Sequence, residues 1–428
     1  MAANKKFTLV IADPGLEAAS GHHAGVATYI SSKRCSDIPL IFFAHQKIEA
    51  PLYQILKSTG CEIYRHFTSS QYRHYGNNNP QDKSPSLASI HSYIALLSKE
   101  YTALFARLTA RNNDEQFVLC YHTLNWEHAS ALALALRRKN VFSGRLRHIA
   151  LLMFNPAIDF RGQITDALQC LNFRTAMNAL QNCKGVELFV SDTERACEYQ
   201  QLLDLPQPLP LHPCFLADWS KLPRLSLSSP TGSTRITLYL GDAKPEKGFD
   251  KLPALVKGLL PHADAHTELV IQYTFNGEDA RISSTIADLQ AIAVSDGRLT
   301  LHCGFWSDRQ LHDKLSRTDL FIFTYDGDVY RNKNSGILWL LGWYQCPLLF
   351  LEPSWLTREA RRLGLIFDML NQESSSPEGI ADQIKTLLQK NAKGAQHSNW
   401  DETINAYRHQ IYSDFHEWIV AVHDGMNT

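Results

Sequence analysis

The chain has 428 residues, 44% hydrophobic and 20% charged, with a formal net charge of −1. That length exceeds one ordinary core and predicts two domains, while so even a charge balance offers no field for a polyanion and argues against nucleic-acid partners. Nine cysteines, an odd number without a C-x-x-C, argue against a disulfide framework or a zinc ribbon and fit a reducing compartment.

The opening residues, MAANKKFTLVIADPG, read as a first strand, Phe7 to Ala12, stopped by Asp13-Pro14-Gly15, and not as a leader. No run of about 18 apolar residues follows anywhere, so a cytoplasmic protein is expected. A loop with Gly21-His22-His23 leads into a helix near Ala24 to Ser32. Strand Pro39 to Ala44, helix Pro51 to Lys57 and strand Cys61 to Tyr64 come next. Phe67 to Pro85 is polar and aperiodic, a candidate lid or acceptor-contact loop. A long helix is predicted from Ser86 to Arg111, then strand Phe117 to His122, helix Trp126 to Lys139 and strand His148 to Phe154. A helical stretch around Ala167 to Leu180, strand Val186 to Val190 and a helix opened by Ser191 and Glu194 at capping-box spacing complete the first half. Alternation of this kind predicts a parallel sheet covered on both faces, with ligands at the carboxyl ends of the strands. The loops at Asp13–His23, His122–Glu127 and Asn155–Arg161 should then share one edge.

Residues 218 to 233 have linker composition. A second alternating series starts at Ile236 to Leu240, ending at Gly241. A loop with Lys244 and Lys247 then reaches Gly248-Phe249 and an apolar-periodic helix, Leu252 to Leu260. Strand, phosphate-sized loop and helix in that order open a nucleotide-binding domain. Further on, Leu320 to Thr324 reads as a strand. The polar loop after it carries Tyr325, Tyr330, Arg331, Lys333 and Asn334, and leads to Ser335-Gly336 and a helix with Ile337, Leu340, Leu341 and Tyr344 on one face. Ser335 is a natural N-cap. The helix start, with Gly336 admitting an oxyanion and two cations beside it, suits a phosphate. Trp400 to Val422 reads as an amphipathic closing helix.

Together these features resemble a glycosyltransferase of the GT-B fold, nearest its large group 1 family. The stretch Gly241 to Gly248 (GDAKPEKG) is similar to the family's G-R-x-x-x-x-K-G loop, with Lys247 on the diphosphate-contacting lysine and Asp242 where arginine is usual. Thr318 to Ile322 looks like its A-D-[IL]-F-[IV] strand, and Gly336-Ile337 with Gln345-Cys346-Pro347 resembles its G-[IL]…G-x-P unit. The paired glutamates of the family fall on Asn332 and Leu340, which leaves ribose contacts to Glu352 or Glu359. Its His-Asp pair falls on Phe154-Asn155. Gly21-His22 resembles instead the Gly-His of inverting members, so stereochemistry stays open.

The resemblance implies an α/β protein of two Rossmann-like domains facing across a cleft. Residues 1–217 would form an acceptor domain, 218–233 a linker, 234–398 a nucleotide-sugar donor domain and 399–428 a helix packing back on the first domain. The implied activity is sugar transfer from a nucleotide-diphosphate sugar to a hydroxyl acceptor on a glycan, lipid-linked sugar or protein. The donor-binding candidates are Gly241, Lys244, Lys247, Gly248, Phe305, Tyr325, Tyr330, Arg331, Lys333, Asn334, Ser335, Gly336 and Ile337. His22, His23 and His122 are the candidates for catalysis, since an imidazole takes a hydroxyl proton near neutrality; two adjacent histidines point apart, so one of the pair would serve. No cofactor beyond the donor and no metal is expected, no D-x-D motif being read. The basic clusters at Arg137-Arg138-Lys139 and Arg358, Arg361, Arg362 solvate helix ends, with loose contact to an anionic membrane surface as their alternative. The competing readings are a catalytically degenerate binding or scaffold protein and a sugar-nucleotide epimerase of the same fold.

Overall fold

The computed structural model describes residues 7–19, 21–33, 38–71, 87–111, 114–137, 145–214, 233–275, 277, 279–370, 376–394, 400–411 and 414–425. The expected polar loop from residue 72 onward and the expected linker up to residue 232 lie outside them. The chain divides into two units, one made of Met1–Asp218 with Tyr412–Thr428, the other of Trp219–Ile411.

The first unit alternates β1 (Phe7–Ala12), α1 (His22–Ser32), β2 (Leu40–His45), α2 (Ala50–Ser58), β3 (Glu62–Phe67), α3 (Leu87–Thr109), β4 (Gln116–Tyr121), α4 (Trp126–Arg137), β5 (Leu146–Leu152), α5 (Ala167–Gln181), β6 (Val186–Val190) and α6 (Thr193–Leu203). Its six strands run parallel in the order β3-β2-β1-β4-β5-β6. The period-two alternation of a strand assigns its side chains to two cores. Val10 and Ala12 face a core filled from α3 to α6, and Leu9 and Ile11 face one filled from α1 and α2. With both faces covered, β1 and β2 are buried without interruption and apolar but for Thr8 and His45, as suits central parallel strands. Helix α6 is capped by Asp192, whose side chain accepts from Arg195 N, so the cap sits one residue after the expected Ser191.

The second unit repeats the plan with β7 (Thr234–Asp242), α7 (Leu252–Leu259), β8 (Thr267–Thr274), α8 (Ala280–Ser295), β9 (Leu299–Cys303), α9 (Asp308–Leu315), β10 (Leu320–Phe323), α10 (Gly336–Trp343), β11 (Leu348–Phe350), α11 (Trp355–Arg362), β12 (Phe367–Met369), α12 (Pro377–Gly394) and α13 (Trp400–Ile411). The strand order is β12-β11-β10-β7-β8-β9, again all parallel. One core lies among β7, β8, α7, α8 and α12. On α10, Trp339 meets Trp355 of α11 with ring centroids 5.8 Å apart. Tyr407 of α13 lays its hydroxyl over Gly342, where a Cβ would collide with it, and donates to Trp339 O at 2.6 Å.

The closing segment is two helices where one was expected. Helix α13 belongs to the second unit and α14 (Phe415–Gly425) to the first. Phe415, Trp418 and Ile419 of α14 complete the core beside α1, and His416 Nε2 lies 3.0 Å from Ile30 O. Among the described residues no helix is long and apolar enough to cross a membrane.

Two histidines are built into the first unit's interior as neutral groups. Tyr121 Oη and His148 Nδ1 are hydrogen-bonded at 2.7 Å, and burial pushes His148 down to about 3. His128 is flanked by Tyr93 at 2.8 Å and Tyr101 at 3.3 Å. Tyr93 also donates to Ser70 O, so His128 Nε2 is the ring donor and Nδ1 the acceptor from Tyr101. Burial lowers His128, too, to about 3. An unfolded histidine titrates near 6.5, so the unfolded chain binds these protons first as pH falls. Stability is therefore complete above pH ~6.5 and lost on acidification, by about 2 kcal/mol per histidine at pH ~5. Urea unfolding followed by circular dichroism at pH 7 and 5 measures this loss. His148→Gln, which keeps an acceptor but cannot ionise, should remove its own share, about 2 kcal/mol at pH ~5, and an unchanged acid slope in that variant would refute the assignment.

Candidate functional site

Two polar clusters stand at carboxyl ends of strands, one in each unit. In the first, β1 and β4 are neighbours in a register that pairs Ile11 with Cys120. Two residues further along each strand direction come Asp13 and His122, on the same edge of the sheet. Helix α1 starts after Gly21, whose φ of 89° is in the left-handed region that glycine tolerates, and His23 lies on its buried side. The ring of His23 places Nδ1 2.8 Å from Asp13 Oδ2, while Gly15 N donates to Asp13 Oδ1 at 2.8 Å. Gly15 is small by necessity: a Cβ there would stand 2.7 Å from His23 Nε2, against the face of the ring. His122 Nδ1 is 3.9 Å from Asp13 Oδ2 and 2.9 Å from Thr123 Oγ1.

The turn after β4 is strained and held from three sides. Thr123 has a φ of 59°, unfavourable for a β-branched residue. Gln71 donates to its carbonyl, Leu124 N donates to Leu151 O at 2.9 Å, and Asn125 Oδ1 accepts from His128 N at 2.9 Å. Burial alone would lower His23, but the charge of Asp13 and its hydrogen bond together outweigh burial and raise it. His122 is driven well down by burial and then by His22, His23 and His212, so it is neutral. His22 is exposed on the same edge, its ring centroid 4.7 Å from that of His122. Crowding and the charge of His23 lower its pKa, an effect that solvent contact moderates.

All three histidines expected to be catalytic thus converge, His23 inward and His22 outward. Sequence reading missed two members of the cluster. Asp13 was read only as a strand stop. His212 is held beyond β6 by its N–H to Val190 O at 2.9 Å, and burial pushes it down to about 4. A proline-rich stretch gives no periodicity to signal such a position.

In the second unit, the loop leaving β7 folds onto the end of the adjacent β10. Gly248 has a φ of 72°, and a Cβ there would collide with the Thr324 carbonyl. Thr324 Oγ1 donates to Lys247 O at 2.7 Å, and Asp326 N to Glu246 O at 3.0 Å. Buried Gln272 ties the tips of β7 and β9 together, accepting from Gly241 N at 2.9 Å and donating to Gly304 O at 2.7 Å. The Lys247 ammonium lies along Gly241, 3.2 Å from where a Cβ would be, and 6.0 Å from the Tyr325 ring centroid. Lys333 Nζ is 5.0 Å from the Tyr330 centroid, and the two tyrosine rings are 4.5 Å apart. Burial lowers the pKa of Lys247 against the pull of Asp242, and Lys244 and Lys333 lower it further. Three ammonium groups thus lie near enough to repel one another, with Asp242 Oδ2 3.9 Å from Lys244 Nζ.

Helix α10 begins beside them. Ser335 occupies the N-cap position but makes no cap bond, its side chain pairing with Tyr325 instead; the expected capping role is corrected. Gly336 is exposed, with no atom within 4 Å of an added Cβ, so the positive end of the helix has open space before it. Asn334 and Ile337 flank it, both half-buried. Arg331 turns to Asp328 at 3.4 Å, and Phe305 stands exposed after β9, two strands away from β7; neither is drawn into the lysine cluster. Glu359 is spoken for by Trp339 Nε1 at 3.0 Å and by Arg362, and Leu340 packs in the interior. Glu352, bonded to Lys251 at 2.7 Å and Gly327 N at 2.6 Å, is the accessible carboxylate. Asp326-Gly327-Asp328 does have D-x-D spacing, contrary to the reading that found none. Its first carboxylate accepts from Asp328 N and Val329 N, both at 3.0 Å, and its second faces Arg331, so it builds a turn.

Gly248→Ala should cost about 3 kcal/mol, combining left-handed strain with overpacking, and displace Lys247. Urea unfolding measures the first effect; stability equal to the parent's would contradict the contact with Thr324.

No protein-family model matches the chain, and no curated protein matches it. Solved structures do. A glycosyltransferase from Rickettsia africae ESF-5 is 9% identical with a TM-score of 0.61, covering 99% of this chain and 97% of its own. Anabaena HepE, solved with UDP and glucose, is 10% identical with a TM-score of 0.56, covering 98% and 99%. Sucrose-phosphate synthase from Thermosynechococcus elongatus is 12% identical with a TM-score of 0.54, covering 98% of each chain. At such identities the likeness establishes the fold, which is GT-B, built from two Rossmann-like sheets.

Proposed function

We propose that the protein is a glycosyltransferase that takes a sugar from a nucleotide-diphosphate donor. The observation carrying this reading is the convergence of Lys244, Lys247 and Lys333 beside the uncapped start of α10. Bond cleavage at an anomeric carbon leaves negative charge on a diphosphate. Fixed ammonium groups and helix N–H dipoles, aimed where that charge grows, lower the barrier without reorganising. Tyr325 and Tyr330 wall the lysines, and Glu352 is our candidate for the ribose hydroxyls in place of the family's glutamate.

In the first unit, His23 is the base we assign to the acceptor hydroxyl. Asp13 fixes its ring through Nδ1 and stabilises the imidazolium that forms when the proton is taken, the role a carboxylate plays behind any such histidine. His122, kept neutral, and His22 border the same edge and suit a hydroxyl-rich acceptor. One fold neighbour, HepE, was solved with UDP and glucose, which supports a nucleotide-sugar reading.

A thermal-shift screen with UDP, GDP and dTDP, followed by transfer and hydrolysis assays with the matching sugars, tests the proposal. A ligand specific to the native state raises the melting temperature by mass action. Lys247→Ala should weaken nucleoside-diphosphate binding about tenfold to a hundredfold, the worth of a charge-assisted contact. Binding unaffected by that change would remove the lysine site from the reading. His23→Gln should leave donor binding intact and depress transfer by at least about a hundredfold, and Gly15→Ala, which pushes the ring aside without removing it, should do much the same. Donor binding without turnover would favour the scaffold reading, and interconversion of sugar epimers the epimerase.

A further inference from the structure

We propose that Asp13, His23 and His122 form a binding site for a zinc-type transition-metal ion. The three residues each offer a donor atom, all mutually within 4.8 Å, and all three residues are buried. Asp13 Oδ2 is 2.8 Å from His23 Nδ1 and 3.9 Å from His122 Nδ1. Four-coordinate zinc with nitrogen and oxygen ligands at about 2.0–2.1 Å sets neighbouring donors about 3.3 Å apart. The first separation must therefore open and the second close by about half an ångström, the two imidazole donors, now within 4.8 Å, must approach to the same spacing, and His122 Nδ1 must give up its contact with Thr123 Oγ1.

The backbone beneath the donors is already fixed. Asp13 and His122 extend two paired strands, and the second carboxylate oxygen of Asp13 is occupied by Gly15 N at 2.8 Å, which leaves Oδ2 directed at the rings. Support of the carboxylate from behind and origin on rigid strands are what a metal site requires. The donor set also selects the ion. Magnesium and calcium prefer all-oxygen shells, whereas two imidazoles and one carboxylate suit zinc, cobalt, nickel or copper. The exposed ring of His22 stands 4.7 Å from His122 centroid to centroid, on the side of the cluster that meets solvent. An ion held here occupies the imidazole assigned as the acceptor base, so metal binding and proton abstraction exclude one another, and zinc is an inhibitor of transfer. The binding claim itself does not rest on that assignment.

The test uses the full chain, stripped with a chelator and titrated with cobalt(II) and with zinc. Cobalt should bind at one equivalent, with the visible absorption of a four- or five-coordinate ion, and zinc should displace it. Asp13→Asn, His23→Gln and His122→Gln should each weaken binding at least a hundredfold, while His262→Gln, in the second unit, should leave it unchanged. Circular dichroism checks that the buried variants fold. If they do not, X-ray absorption on the parent chain loaded with zinc decides: two imidazoles and light-atom donors support the site, and any other shell overturns it. The absence of stoichiometric binding, or its survival in both histidine variants, also overturns it. Nucleoside-diphosphate binding through Lys247 is read separately, so a failed metal titration leaves the transferase reading standing, and a failed donor screen leaves the metal site standing.

Discussion

Each sheet in this protein is built outward from a central pair of strands, and the chain reverses its direction of travel between them. In the first unit that pair is β1 and β4, in the second β7 and β10. Right-handed crossovers then send the loops leaving the two strands to opposite faces, which opens a gap at their carboxyl ends. Side chains at those ends cannot be covered by their own connections. Asp13 and His122 stand at the first gap, and Gly241 and Tyr325 at the second. The chemistry of the molecule follows from where the winding turns back.

What fills the two gaps is opposite in character. The first holds one carboxylate among imidazoles, two of which, His122 and His212, burial keeps neutral, with His23 drawn toward its protonated form by Asp13. The second holds Lys247 and Lys333, whose affinity for protons burial lowers and neighbouring ammonium groups lower further. An imidazole–carboxylate pair exchanges protons; a lysine cluster attracts polyvalent anions. The contrast between the units is therefore electrostatic, and a net charge of −1 for the whole chain conceals it.

Much of this was legible in the residues. Alternating apolar runs and helical periods located the strands, because central parallel strands must be apolar on both faces and so read as unbroken runs. Gly248 signalled its own loop, since φ near 72° is a demand that falls on one residue. The side-chain partners were less legible. Asp13 precedes Pro14 and looks like a strand terminator, and only the register with β4 reveals that it faces His122. Gln272, inside an apolar strand, gives no sign that it ties Gly241 to Gly304. Ser335 has the right identity for a cap, but the tyrosine that claims its hydroxyl lies ten residues earlier in the chain. The closing helices were read as one because periodicity continues across residues 412–414, although the two halves enter different cores.

The seat of Tyr407 on Gly342 has a meaning for how this sequence can drift. The hydroxyl reaches the Trp339 carbonyl only because residue 342 has no side chain, so a methyl group at 342 is tolerable only once the tyrosine has shrunk. Neither position is free to wander by itself. In any lineage that keeps α13 docked on α10, glycine at one place and tyrosine at the other should be inherited, or lost, as a couple.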